Sequence, residues 1–179
     1  EQLERPQGRY REYFHTTSLD FQTIQRCTDV TQLLLEKGAS LDSAEDDFGN
    51  PFHLACLIGS LSLVQVLINH GSSLDDTNGY FQTPLFAAIH GNNPDVVSLI
   101  LDKGCSVNYV HPKFGTALHW ACGSRNEQLV RKLLQYGASA AVRDAKRQTA
   151  FTVALKASDS FLDESLAQII WQSSEDIPI

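Results

Sequence analysis

Segments of related sequence recur along this chain at a fixed interval. Related segments begin at residues 50, 83, 116 and 149, and they read NPFHLACLIG, TPLFAAIHGN, TALHWACGSR and TAFTVALKAS. The step between them is 33 residues each time. A second motif keeps the same step, with GAS at 38, GSS at 71, GCS at 104 and GAS at 137. A constant period of this length indicates a stacked repeat architecture.

The period divides the chain into five units. We assign them to residues 17–49, 50–82, 83–115, 116–148 and a divergent C-terminal cap at 149–179. Residues 1–16 contain three aromatic residues, and we expect this extension to pack on the first repeat. The segment DSFLDESLAQIIWQ at 159–172 carries apolar residues at helical spacing. It predicts an amphipathic helix that closes the stack, as a terminal repeat must.

Each unit predicts two short helices followed by a polar loop. Thr83-Pro84 and Asn50-Pro51 place a capping side chain before a proline at the first helical turn, where the missing N–H costs nothing. A second set of apolar residues follows at helical spacing and ends at Gly71 or Gly104, which suit a left-handed cap. Because one pair of short helices cannot bury its own apolar faces, the units must stack into a solenoid.

At this point the chain resembles the ankyrin-repeat family. The resemblance is carried by TPLF, FHLA and ALHWA in the first helix and by VLINHGSSLD and LILDKGCSVN at the end of the second. It implies an all-α ankyrin-repeat solenoid of stacked helix-turn-helix units with protruding β-turn loops. The family usually has glycine two residues before the motif threonine, where this chain has Phe48, Phe81 and Phe114. Since Gly49 and Gly115 follow two of these, we expect the loop turn to be shifted by one residue.

Two His–Cys pairs raise the alternatives of a zinc site and a thiol enzyme. They are His53 with Cys56 and His119 with Cys122. The pairs lie two repeats apart, roughly 20 Å if neighbouring helices pack at about 8–10 Å, and each supplies only two of the four ligands of a structural zinc. The resemblance implies that the histidine hydrogen-bonds to backbone and that the cysteine fills a small core position. We therefore expect no metal, no cofactor and no catalytic residue.

Composition limits the partners. The net charge of −7 argues against direct nucleic-acid binding, and no apolar segment approaches the roughly 20 residues that span a membrane. We expect neither direct binding to nucleic acid nor insertion into a membrane. The four cysteines, without a visible secretion signal, favour reduced thiols and a cytoplasmic and/or nuclear location. The chain contains no methionine and begins at Glu1, which we interpret as a fragment or a processed chain.

The resemblance implies a non-catalytic protein–protein interaction module that binds a partner protein or peptide in a concave groove. Two alternatives stay open: a targeting or regulatory segment of a larger enzyme (a ubiquitin-ligase adaptor, a kinase or an acyltransferase), or of a transcription regulator. The candidate binding residues come from loop tips and from the groove side of the first helices. They are Asp46, Asp47, Phe48, Leu57, Ile58, Tyr80, Phe81, His90, Lys113, Phe114, Trp120, Ser124 and Lys146.

Two apolar residues are conspicuous among these candidates. Leu57 and Ile58 stand where solvent is expected, beside the loop aromatics Tyr80 and Phe81. Exposed apolar side chains next to aromatic ones are typical of interface hot spots. The alternative is that Leu57 packs into the neighbouring unit.

A charge gradient runs along the loops. The first loop is acidic, the second adds Asp75 and Asp76, and the fourth is basic, with Arg143, Lys146 and Arg147. The gradient predicts a partner with basic residues near the N-terminal units and acidic residues near the C-terminal ones. Ordinary scatter of surface charge is the alternative.

Overall fold

The structure, a computed structural model, describes residues 21–41, 49–157 and 169, without the side chains of 21–25 and 157. The described part contains eight α-helices, and in place of strands it has only isolated bridges in its loops. The predicted all-α fold class is thus confirmed. The N-terminal extension, the first loop at 42–48 and, apart from Ile169, the predicted C-terminal helix lie outside the described residues.

The chain divides into two compact units, residues 1–40 and 41–179. In the first, helix α1 covers Phe21–Glu36, and the turn that follows it contains Gly38, which has a left-handed φ of 88°. The Gly38 amide donates to the Leu35 carbonyl and the Ala39 amide donates to the Leu34 carbonyl, which is the Schellman pattern. The same pattern recurs at Gly71 and Gly137, and it explains why the glycine motif keeps the repeat period.

The described residues of the second unit form three helix pairs followed by one further helix. They are α2 (Pro51–Ile58) with α3 (Leu61–Asn69), α4 (Pro84–His90) with α5 (Pro94–Asp102), α6 (Ala117–Gly123) with α7 (Glu127–Gln135), and α8 (Ala150–Ala157). Each first helix packs on its own second helix and on the next first helix along the chain. The helix-turn-helix units therefore stack as the repeat period predicts.

The first helices begin where the sequence places a capping residue. Thr83 and Thr116 accept hydrogen bonds from the amides three residues further on, and the Asn50 side chain accepts from two amides. Pro51 and Pro84 occupy the first helical position. These caps satisfy amides that have no partner inside the helix, which is worth about 1 kcal/mol each.

The core repeats with the sequence. Val64, Val97 and Val130 occupy equivalent positions in three successive second helices, and all are at most 4% exposed. Leu67, Ile100 and Leu133, three residues further along, are at most 1% exposed. Complete burial of such a side chain contributes about 1.5–3 kcal/mol. The apolar face of each second helix thus holds the stack together.

The loops carry the shift expected from the phenylalanines. A left-handed φ occurs directly before the helix cap at Gly49 (88°), Gln82 (62°) and Gly115 (74°), but two residues before Thr149 at Arg147 (60°). The predicted one-residue shift is confirmed. Phe81 and Phe114 therefore point their side chains inward, where they meet His90 and Trp120 of the first helices.

Candidate partner-binding surface

The two His–Cys pairs stabilise turns and fill the core. His119 hydrogen-bonds through Nδ1 to the Thr116 hydroxyl (2.8 Å) and through Nε2 to the Gln148 carbonyl in the next loop (2.9 Å). His53 Nε2 lies 3.1 Å from the Gln82 carbonyl in the same way. The predicted backbone role of both histidines is confirmed. Each histidine therefore joins the start of a first helix to the loop that follows it.

The two cysteines of these pairs are completely buried. Burial raises the pKa of the Cys122 thiol to about 12 and raises the pKa of Cys56 as well. Neither is a thiolate at neutral pH, and the thiolate is the nucleophile and the metal ligand. Among the described residues, no three potential metal ligands come together.

Seven aromatic and imidazole rings gather between the loops and the first helices α4 and α6. We call this set the aromatic cluster, and it consists of Tyr80, Phe81, Phe86, His90, His111, Phe114 and Trp120. The centroids of His90 and Trp120 are 4.3 Å apart, and Phe114 meets Trp120 edge-on at 4.9 Å. Such pairs contribute about 0.5–1.5 kcal/mol beyond the area that they bury. The cluster is therefore a rigid support for its exposed rim.

Lys113 lies at the rim of the aromatic cluster. Its Nζ is 5.6 Å from the centroid of Tyr80 and 5.4 Å from that of Phe114, and it donates to the Tyr80 hydroxyl at 3.3 Å. A cation over two ring faces gains about 0.5–1 kcal/mol at an exposed site. The ammonium group is thus held in place while it stays open to solvent.

Two histidines within the cluster are held in the neutral form. His90 Nδ1 donates to the Phe86 carbonyl at 2.9 Å, and its buried Nε2 has no hydrogen-bond partner in the described part of the chain. Burial lowers the pKa of His90 to about 4. His111 Nε2 donates to the Tyr80 carbonyl, while Nδ1 accepts from the Lys113 and Phe114 amides; burial and then Lys113 lower its pKa.

The structure places the predicted binding residues at very different depths. Lys113, Ser124 and Lys146 are exposed, while five others are partly buried: Leu57, Ile58, Tyr80, His90 and Trp120. Phe81 and Phe114 are only 5% and 7% exposed. Phe81, one of the candidate binding residues, is nearly buried because the shifted turn directs it into the aromatic cluster. Asp46, Asp47 and Phe48 lie outside the described residues.

Two features of this surface were missed in the sequence. A Cβ on Gly91 would lie 2.3 Å from the Leu57 carbonyl oxygen, so the end of α4 approaches α2 backbone to backbone. His111 stands at the loop position of Asn78 and Asp144, and like Asp144 it accepts amides of its own loop. The repeat register could have revealed the second feature, because a polar acceptor recurs at that position.

Charge is unevenly distributed over the described residues 49–157 of the second unit. Residues 49–108 contain four carboxylates and one basic side chain, whereas residues 109–157 contain eight basic side chains and two carboxylates. Asp75 and Asp76 are already used as acceptors, from the Ser106 amide and from the Asn50 and Asn78 side chains. Arg143, Lys146 and Arg147 are all exposed. The basic end of the predicted gradient is therefore a property of the surface.

Comparison with known proteins gives one clear result. A family model for ankyrin repeats, in three copies, matches residues 21–111, and a model for the single ankyrin repeat matches residues 115–145. No curated protein matches the chain significantly. No helix of the described residues is long and apolar enough to cross a membrane.

Proposed function

The chain belongs to the ankyrin-repeat family, and from that premise we propose that it binds a protein segment on the surface formed by its loop tips and first helices. Ankyrin repeats are generally protein–protein interaction modules, and domains built from them are typically non-catalytic. The partner would lie along the aromatic cluster and the ends of the first helices, where most of the described candidate residues are found.

The observation that carries this proposal is the packing of Trp120 and Tyr80. Both side chains are partly exposed, and both contact buried rings, Trp120 with Phe114 and Tyr80 with Phe81. Aromatic side chains are enriched among interface hot spots. Because neighbouring rings already restrict these two, little further side-chain entropy is lost when a partner binds.

Substitution of Trp120 tests the proposal. Partners captured by the full chain would be identified by mass spectrometry, purified and titrated against the chain, the Trp120→Ala variant and a matched Tyr136→Ala variant. Tyr136 is 40% exposed at the end of α7 and has no ring contact with the cluster. We expect Trp120→Ala to weaken binding by about tenfold, or 1.4 kcal/mol, and Tyr136→Ala to leave it unchanged.

Circular dichroism first establishes that both variants are folded. Equal affinity of both variants and the parent chain would contradict the proposal and direct attention to the opposite face of the stack. The same surface would serve a targeting segment of a larger enzyme or of a transcription regulator, and the full-length sequence separates these alternatives.

We also propose a cytoplasmic and/or nuclear location. All four cysteines are free thiols, and Cys56 and Cys122 are completely buried. Free thiols persist best in reducing compartments. Fluorescence microscopy of the tagged full-length protein tests this, and a secreted protein would contradict it.

A further inference from the structure

Exposed basic side chains of residues 109–157 lie at the tips of two successive loops. Tyr80, Lys113 and Lys146 occupy the same position in three successive loops, and Arg147 follows Lys146. The two lysines and the arginine are exposed. In the described part of the chain, none of these three cations forms an ion pair with a carboxylate; the ion pair present is Arg131 with Glu127 on α7.

Hydrogen bonds and ring contacts shape the fourth loop and position the side chain of Lys113. The Asp144 carboxylate accepts the amides of Lys146 (2.9 Å) and Gln148 (2.7 Å), so it is used to shape the fourth loop. The Arg143 guanidinium donates to the Arg147 carbonyl at 3.0 Å across the same loop. Lys113 is held over Tyr80 and Phe114. Lys113, Lys146 and Arg147 therefore form a row of exposed positive charge along successive loops, and Phe114, the ring beneath Lys113, also contacts Trp120.

We propose that this row, made of Lys113, Lys146 and Arg147, binds an extended acidic segment of a partner protein. The carboxylates pair with the three cations, and an apolar side chain of the segment contacts the partly exposed face of Trp120. The inference rests on the proposed function and names the chemical class of the partner.

The spacing of the loops sets the spacing of the acidic residues. Neighbouring repeats stack at about the 8–10 Å of packed helices, so Lys113 and Lys146 are separated by roughly that distance. An extended segment in the polyproline II conformation advances about 3.1 Å per residue and presents every third side chain on the same face. Two carboxylates about three residues apart therefore match the two lysines, with the apolar residue beside them.

The charge around the row favours a peptide over a nucleic acid. The chain as a whole carries a net charge of −7, and the preceding loop presents Asp75 and Asp76. The phosphate backbone of a nucleic acid binds to an extended surface of basic side chains. Along this stack it would reach Asp75 and Asp76 within two repeats and be repelled by them. A short acidic peptide would occupy the row alone, with attraction that steers its approach.

Selection from a displayed library of short randomised peptides tests the inference with the full chain as bait. The Lys113→Glu/Lys146→Glu variant is compared with Lys37→Glu/Lys103→Glu, which makes the same charge change at exposed lysines after α1 and after α5. Selected peptides are then titrated by fluorescence anisotropy, together with a labelled single-stranded oligonucleotide.

We expect the selected pool to be enriched in Asp and Glu about three residues apart next to an apolar residue. Affinity should fall by about tenfold or more in Lys113→Glu/Lys146→Glu, remain in Lys37→Glu/Lys103→Glu, and weaken as salt screens the charges. Selected peptides that are basic or uncharged, yet lose affinity in Trp120→Ala, would overturn this inference and leave the proposed function standing. If the affinity of the selected peptides is unchanged in Trp120→Ala, both this inference and the proposed function are contradicted. If the oligonucleotide binds more tightly than the selected peptides, the inference that the ligand is an acidic peptide is wrong.

Discussion

Two neighbouring junctions in the stack are built in opposite ways. At the tight junction, between α2 and α4, Gly91 lies directly against the Leu57 carbonyl. At the aromatic junction, between α4 and α6, His90, Phe114 and Trp120 fill the space, and the two backbones approach over a shorter length. The repeat position of Gly91 is occupied at the aromatic junction by the exposed Ser124. Neighbouring repeats can therefore be joined through backbone contact or through packed rings. Only the junction built from rings has partly exposed aromatic side chains that a partner could contact.

The largest effect in this comparison is expected from Phe114, the central ring of the aromatic junction. Phe114→Ala removes a side chain that is 7% exposed and contacts Tyr80, His90 and Trp120. We expect the free energy of unfolding to fall by about 3–5 kcal/mol, since a large buried ring leaves a cavity. Phe114→Leu keeps much of the volume and should cost less than half as much. Urea denaturation measures both, and equal losses would show that the ring contacts, rather than the volume, hold the junction.

The tight junction is tested by Gly91→Ala. Gly91 has an ordinary helical φ of −65°, so the substitution adds no backbone strain of its own and acts only through the new Cβ. Because that Cβ would lie 2.3 Å from the Leu57 oxygen, α2 and α4 must move apart, and we expect a loss of about 1–3 kcal/mol. Ser124→Ala is the matched change at the aromatic junction and should stay within about 0.5 kcal/mol in the same denaturation experiment. An unchanged midpoint for Gly91→Ala would contradict the close approach.

The contrast also separates what the sequence could predict from what it could not. The period, the caps at Asn50 and Thr83 and the periodic valine core follow from residue types at fixed spacing, and each is present. The inward direction of Phe81 does not follow, because a phenylalanine in a polar loop is equally compatible with exposure until the φ of Gln82 is known. The tight approach at Gly91 depends on a distance between helices, which a single repeat does not encode. The sequence thus predicted the repeat positions of the candidate residues. How deeply each of them is buried could be read only from the structure.

A third effect concerns how the stability of the aromatic junction depends on pH. Burial lowers the pKa of His90 to about 4 in the folded chain, while an unfolded histidine titrates near 6.5. The unfolded state therefore binds more protons, so the stability contributed at His90 is complete above pH 6.5 and is lost as the pH falls toward 4. We expect a loss of about 2 kcal/mol between pH 7 and pH 5 from this residue.

The variant His90→Gln isolates this term, because glutamine can still donate to the Phe86 carbonyl but does not titrate in this range. The difference between the urea midpoints at pH 7 and pH 5 should be smaller in His90→Gln than in the parent chain. It should be unchanged in His70→Gln, a control at an exposed histidine. His53 and His111 also have lowered pKa values from burial, so part of the acid sensitivity remains in the variant. A pH dependence identical to that of the parent chain would show that His90 gains its proton without disturbing the rings. The aromatic junction would then be less tightly packed than the contact between His90 and Trp120 implies. If the stability of His90→Gln instead depends less on pH than that of the parent chain, the aromatic junction is the acid-sensitive contact of the stack.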